Sequence, residues 1–232
     1  VLYFVFYASI TGYNFVKYFG IAKFHHKQLA KWLKLIQILS FICFLLMCFY
    51  AYQLKLKTLF FIVGFACLTF LYAIPLFSKK EYTLRSIGGL KIYIIALVWS
   101  GVVIFIPVLN EGVSINTDIV LLGLQRFIYV LVLMLPFEIR DLKFDSLKLA
   151  TIPQRIGVKN TKKIGVLLLI VFFLLEFFKD EVSVIQIIVL VVISIITLLF
   201  LMFSNKQQGQ YYCSFWVEGL PILWLILLLV FT

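Results

Sequence analysis

The chain reads as an all-α, polytopic membrane protein, and three observations predict that class. Of its 232 residues 64% are apolar and 13% charged, with 25 Phe and a mean hydropathy of +1.11, a balance well outside that of soluble domains. The apolar residues gather into eight runs of about 20 residues, the length of helix that crosses a hydrocarbon core roughly 30 Å thick. None of the runs alternates with period two, which disfavours a β-barrel.

The first run, at about 1–19, lacks the basic flank and small-residue cleavage site of a signal peptide. A basic connection at 20–33 follows, in which His25 and His26 have no neighbouring Cys, Asp or Glu to complete a metal set. The next two runs, 34–53 and 57–77, carry Cys43, Cys48 and Cys67. With Cys213 these lack metal-ligand spacing and read as small core residues. After a second basic connection at 78–89 come runs at 90–109 and 118–138, the latter with Arg126 about nine residues inside it. The third long connection, 139–163, is the richest of the three in charged residues. Runs at 164–179, 183–203 and 211–231 complete the chain. Glu176, near Lys179, is expected at the interface, and Glu218 lies about seven residues into the last run. No Gly/Ser linker separates the runs, so residues 1–232 read as one domain.

The net charge of +11 follows topology rather than forming one patch for nucleic acid. Counted over alternate connections and helix ends, 17 of the 21 Lys and Arg fall on one side, which makes that side cytoplasmic. The opposite side holds Lys55, Lys57 and Lys179 beside Glu111, Asp118, Asp180 and Glu181. An unpaired charge within the hydrocarbon costs about 2.5–3.5 kcal/mol or more, so Arg126 and Glu218 each need a partner. Counted from opposite ends they reach similar depths, which predicts an Arg126–Glu218 pair; the functional reading instead puts Arg126 on a cavity wall as a substrate ligand.

Residues 138–157, EIRDLKFDSLKLATIPQRIG, are the stretch richest in chemistry. On a helix Glu138, Asp141, Asp145 and Lys148 recur at spacings of three, four and three, and share one face. One reading is a solvated helix end held by intrahelical ion pairs of about 0.3–0.5 kcal/mol each. The other is a Mg²⁺ site at Asp141 and Asp145, because this ion takes oxygen ligands and commonly bridges one or two carboxylates to substrate phosphates. Arg140, Lys143, Lys148 and Arg155 would then meet the phosphate oxygens the ion leaves free. Spacing alone does not separate the two. No Walker loop, G-x-S-x-G, H-E-x-x-H or dinucleotide fingerprint is present.

The pattern E-I-R-D-x-x-x-D-x-x-x-x-x-T-x-P-x-R-x-G from Glu138 to Gly157 resembles the second aspartate-rich motif and following loop of UbiA-type intramembrane prenyltransferases. Weaker similarity covers Tyr72, Pro75, Lys79, Lys80, Arg85, Lys91 and Trp99, and YYCSFWVEGLP at 211–221. The resemblance implies a UbiA-like helical bundle around a central cavity, with Asp141 and Asp145 holding Mg²⁺ and cations including Lys91 on an isoprenyl diphosphate. It implies transfer of the isoprenyl group to an aromatic or lipid acceptor. It also implies a bacterial inner-membrane location with the motif loops on the cytoplasmic side, and a ninth helix either preceding Val1 or lost.

The first acidic motif of that family, N-D-x-x-D, corresponds to Asn14-Phe15-Val16-Lys17-Tyr18, where Asn14 alone matches. Phe15 and Tyr18 stand at the two aspartate positions, so a single Mg²⁺ is expected rather than two, with Lys17 offered to phosphate directly. The alternative is a catalytically degenerate homologue that binds an isoprenoid lipid or serves as the membrane subunit of a protein complex. A small-solute transporter ranks last, since the halves lack matching Gly/Pro-broken helices.

Overall fold

The computed structural model describes residues 1–24, 31–73, 89–143 and 150–231, the side chains of 19–24 and 31–32 excepted. Among the described residues every regular element is helical, with no strand. Six helical stretches among the described residues are long and apolar enough to cross a membrane: Leu33–Tyr52, Leu56–Ala73, Lys91–Glu111, Thr117–Asp141, Val184–Phe203 and Tyr212–Phe231. With no water in hydrocarbon to satisfy N–H and C=O groups, spanning segments of this composition fold as helices. This is an integral membrane protein.

Two compact units are present, one of Val1–Arg85 with Gly101–Ile115, the other of Ser86–Ser100 with Asn116–Thr232. In the first, α1 (Leu2–Phe24) packs along α2 (Lys31–Tyr52) and touches α3 (Leu56–Ala73). Tyr3 and Tyr7 stack on Tyr50, with centroids 5.2 and 5.8 Å away, and Phe15 stacks on Phe70 at 6.0 Å. A short α5 (Ile106–Glu111) packs on α3. Its left-handed Gly112 returns an N–H to Val108 and Leu109, which ends the helix.

The second unit is built around α6 (Thr117–Asp141), which packs against α4 (Lys91–Ser100), α7 (Ile152–Leu174) and α8 (Val184–Phe203). Helix α9 (Leu220–Phe231) lies on α8. Protein buries 44% of the α6 span against 28% of the α8 span and 17% of the Tyr212–Phe231 span, so α6 is the interior helix of this unit. The core joins Ile92 and Ala96 of α4, Val132 and Leu135 of α6, Phe172 of α7, Ile193 and Leu201 of α8 and Trp224 of α9. At Gly165 a Cβ would collide with Leu201 and come within 2.9 Å of Leu135 Cδ1. A hydrogen there is what lets α7 approach α6 and α8 closely.

Two helices are interrupted where proline requires it. Gly101–Phe105 is a π-turn just before Pro107, and Tyr212–Val217 is another just before Pro221. Proline cannot donate to the carbonyl four residues back and its ring crowds that turn. A widened turn accommodates both demands, and the Glu218 N–H reaches Cys213 O at 3.1 Å in the longer register.

Several expected boundaries move. The first helix runs on to Phe24, and α7 begins at Ile152 rather than 164. Thr-Ile-Pro-Gln-Arg-Ile-Gly is therefore the start of a helix, not a loop. Periodicity missed it because Arg155, Lys159, Lys162 and Lys163 dilute the apolar pattern. A break inside α7 falls at Gly157, with φ 78° and ψ 161°, a conformation open essentially to glycine alone. The Thr161 hydroxyl donates to its carbonyl at 2.9 Å. The cysteines divide: Cys43 and Cys213 are buried, whereas Cys48 and Cys67 are exposed, and all are free thiols. A small, weakly polar thiol fits a lipid-facing site as well as a core.

Gly157→Ala is expected to destabilise the protein by about 1–3 kcal/mol, because the kink would strain any Cβ. Gly64→Ala, in open space within α3, should be neutral or stabilise by up to about 1 kcal/mol. Melting of the two variants side by side in detergent checks both.

Candidate functional site

Helix α6 ends on the sequence Glu138-Ile139-Arg140-Asp141, and each polar residue there is committed differently. Glu138 is completely buried, and its Oε2 accepts the Ile152 N–H at 3.2 Å. A carboxylate at a helix N-terminus satisfies one of the unpaired amides and meets the positive end of the helix dipole. The chain enters α7 through Ala150 at φ 42° and through Thr151, whose N–H donates to Gln154 Oε1 at 3.0 Å, with Pro153 in the first turn. Glu138 thereby ties the start of α7 to the end of α6. It does not belong to a solvated acidic stripe.

Asp141 faces two cations. Arg140 Nε donates to Asp141 Oδ1 at 2.8 Å, and Lys91 Nζ, at the start of α4, lies 3.8 Å from Asp141 Oδ2. The Lys91, Asp141 and Arg140 side chains are 16%, 22% and 30% exposed. The Arg140 guanidinium also lies 5.2 Å from the Phe137 ring centre. Two cations thus share Asp141 in a partly dehydrated place, and Glu218 adds a second acid to the field of Arg140, so the group is a mixed-charge cluster close to balance. Asp145 and Lys148 lie outside the described residues. Arg155 is exposed on the first turn of α7, with its amide bonded to Thr151 O at 3.0 Å.

Asn14 and Lys17 belong to the first unit, where Asn14 Nδ2 donates to Ser40 Oγ at 2.7 Å between α1 and α2. Lys17 Nζ donates to the Tyr13 hydroxyl at 3.4 Å and lies 5.1 and 5.5 Å from the Tyr13 and Tyr18 ring centres. Arg126 lies 15 residues before Asp141 on α6, roughly 22 Å along the axis.

Arg126 is not paired with Glu218. Its guanidinium stacks 3.5 Å over the Trp224 ring, and Glu176 is the acid in whose field it lies. Glu218 instead lies in the field of Arg140. The expected depths were counted from opposite ends of the helices, and Trp224, six residues beyond Glu218, is the residue of that segment that reaches the level of Arg126.

Composition alone did not reveal the polar network beside Arg126. Gln125 and Glu176 are 2% and 1% exposed, so Glu176 is interior rather than interfacial. Gln125 Nε2 donates to Glu176 Oε2 at 2.9 Å and to Phe172 O at 3.2 Å, and Lys179 Nζ reaches the same Glu176 oxygen at 2.5 Å. Tyr129 completes the cluster, stacked on Phe172 at 5.3 Å and edge-on to Trp224 at 4.8 Å. The usable signal was the pair Gln125-Arg126 inside an apolar run, which demands an acid nearby, together with Glu176 three residues before Lys179.

Among the described residues no group of three or more His, Cys, Asp or Glu gathers as a metal cluster. Asp141 is nevertheless the kind of hard oxygen donor that Mg²⁺ prefers, and its flanking cations are the kind that bind phosphate oxygens. Compared with protein-family profiles, with curated proteins and with solved structures, the chain gives no match.

Two pairs of variants check the buried carboxylates. Glu138→Ala should cost about 2 kcal/mol by orphaning the Ile152 amide, and Glu138→Gln, which keeps an acceptor, clearly less. Glu176→Ala should cost about 3–5 kcal/mol by leaving Lys179 and Arg126 without their acid, while the paired Glu176→Leu/Lys179→Leu variant should recover much of that. Thermal unfolding in a single detergent measures all four.

Proposed function

We propose that this chain is a UbiA-type, prenyltransferase-like membrane protein that binds an isoprenyl diphosphate at the end of α6 and transfers its isoprenyl group to an aromatic or lipid acceptor. The observation that carries the reading is the partly buried Lys91–Asp141–Arg140 cluster at the start of the stretch that resembles the second acidic motif of that family. In this reading the motif end of α6 faces the cytoplasm, eight helices of the chain span a bacterial inner membrane as a UbiA-like bundle, and Asp145, Lys148 and Arg155 complete the binding set.

Asp141 would hold a single Mg²⁺ together with Asp145. When bound, that ion supplies charge neutralisation for the departing diphosphate. Lys91 and Arg140, freed from Asp141 by substrate, would take the remaining phosphate oxygens in charge-assisted hydrogen bonds. Arg140 presents a planar fork suited to two oxygens at once, and Lys91 a point charge. Glu138 holds the α6–α7 connection, so that Arg155 on the first turn of α7 stays close in sequence and space to the motif. The apolar residues along the helices would exclude water from the reactive prenyl carbon and accept its tail.

The second reading is a catalytically degenerate homologue that binds an isoprenoid lipid or anchors a complex. What favours it is the use made of the first motif: Asn14 is bonded to Ser40, Phe15 is stacked on Phe70 and Lys17 is held against tyrosines, all packing roles inside the first unit.

Purified protein incubated with a prenyl diphosphate and an aromatic acceptor decides between them. The enzyme reading expects Mg²⁺-dependent consumption that EDTA abolishes, a loss on the order of 100-fold in Asp141→Asn, and binding about tenfold weaker in Lys91→Gln. Diphosphate binding without turnover, in wild type and Asp141→Asn alike, would establish the second reading instead.

A further inference from the structure

Away from the α6 cluster, the first turns of α7 carry a concentration of positive charge. Lys159 and Lys163 are exposed, one turn apart on one face, and Lys162 stands beside them. Between α7 and α8 these lysines surround a recess of about 420 Å³ lined by Lys159, Lys162, Lys163, Val166 and Met202, with no carboxylate among its described lining residues. Its level in the membrane is set by α8. That helix has a mean hydropathy of 3.2 over Val184–Phe203, so its last turn lies at a boundary between hydrocarbon and water. Lys162 Nζ donates to Met202 O at 2.6 Å in that last turn, capping α8 and fixing the α7 lysines at the same boundary.

Below the lysines the wall turns apolar. Val166 and Ile170 continue the face of Lys159 and Lys163 at helical spacing, and Met202, Leu199 and Ile195 continue along α8. Ile170, Met202, Leu199 and Ile195 are between 41% and 52% exposed. Positive groups at headgroup level above an open apolar stripe match an amphiphile with an anionic head and acyl chains. A soluble anion would leave the stripe without purpose, and a neutral lipid would leave the lysines without a partner. We infer that this recess is a binding site for an anionic phospholipid of the surrounding membrane, with its phosphodiester held by Lys159 and Lys163, Lys162 fixed as the cap between them, and one acyl chain along Val166, Ile170 and Met202. A basic pocket between membrane helices at headgroup level is the physical form such sites take.

The test uses the full chain in neutral detergent, melted against increasing phosphatidylglycerol, with phosphatidylcholine and inorganic phosphate as parallel titrants. A ligand that binds only the folded state stabilises it by an amount that grows with the logarithm of its concentration once that exceeds Kd. Phosphatidylglycerol is expected to raise the melting temperature in this way, with no comparable effect of phosphatidylcholine or phosphate. Lys159→Gln/Lys163→Gln should shift the concentration at which the rise sets in upward by about 25-fold, about fivefold for each charge removed. Its melting temperature without lipid should stay at the wild-type value, since both side chains are exposed. Lys159→Arg/Lys163→Arg, which keeps the charge, should retain wild-type affinity and guards against a variant that merely folds poorly. An equal response to phosphatidylcholine, a response reproduced by inorganic phosphate, or an unchanged titration in the Gln variant would each overturn the site.

Discussion

Hydrocarbon offers no hydrogen bonds, so every polar group on the interior helix α6 must find its partner within the protein, and much of the second unit follows from how that is done. Gln125 is answered by the Phe172 carbonyl and by Glu176, Arg126 by the Trp224 face, Glu138 by the first amide of α7, and Asp141 by Arg140 and Lys91. Those partners come from α4, α7 and its 3₁₀ extension, and α9, so the polar residues of α6 specify which helices surround it. Apolar packing supplies adhesion, but lipid is nearly as good a solvent for Leu as another helix is. The polar commitments are what make one arrangement preferable.

The same constraint accounts for the breaks. Each π-turn lies just before a proline, and the kink of α7 lies at a glycine whose carbonyl is taken up by Thr161. In water a frayed turn would bind solvent; within the apolar spans the two π-turns close it by a longer register. The segment Tyr212–Leu220 shows both demands at once, because Gly219 has Phe215 O so near that a Cβ would stand 2.9 Å from it. Glycine and proline in these helices thus mark places where the backbone is re-routed rather than weakened.

The two groups of cations in the second unit differ in kind. At the end of α6 the cations are partly buried and already paired with a carboxylate, so an incoming anion must compete for them. That suits selective binding linked to chemistry. On α7 the lysines stand exposed around an open recess, an arrangement suited to a resident lipid that is exchanged slowly and chemically unchanged. Their separation along the chain, one on each side of the 144–149 stretch and the α7 kink, allows the two to be altered independently.

Much of this was legible in the residues themselves. Hydropathy and run length determine an all-helical membrane protein, since the hydrocarbon thickness translates directly into about 20 apolar residues, and the spacing in 138–157 singles out the end of α6. What tertiary structure alone decided is which charges meet. Spacing put Glu138 and Asp141 on one face, yet one is buried as a cap for α7 and the other stands between Arg140 and Lys91, because a helix face carries no information about which neighbour will cover it. Depth counting paired Arg126 with Glu218, whereas packing brought Trp224 and Glu176 to Arg126 instead. The start of α7 was hidden for a related reason: its lysines mask the apolar period, and although Thr151, Pro153 and Gln154 carry a local helix-start signature, the contact between Glu138 and Ile152 and the close approach at Gly165 are what anchor it. Local sequence determines the helices and the cost of each buried charge; the partner that offsets the cost is chosen in three dimensions.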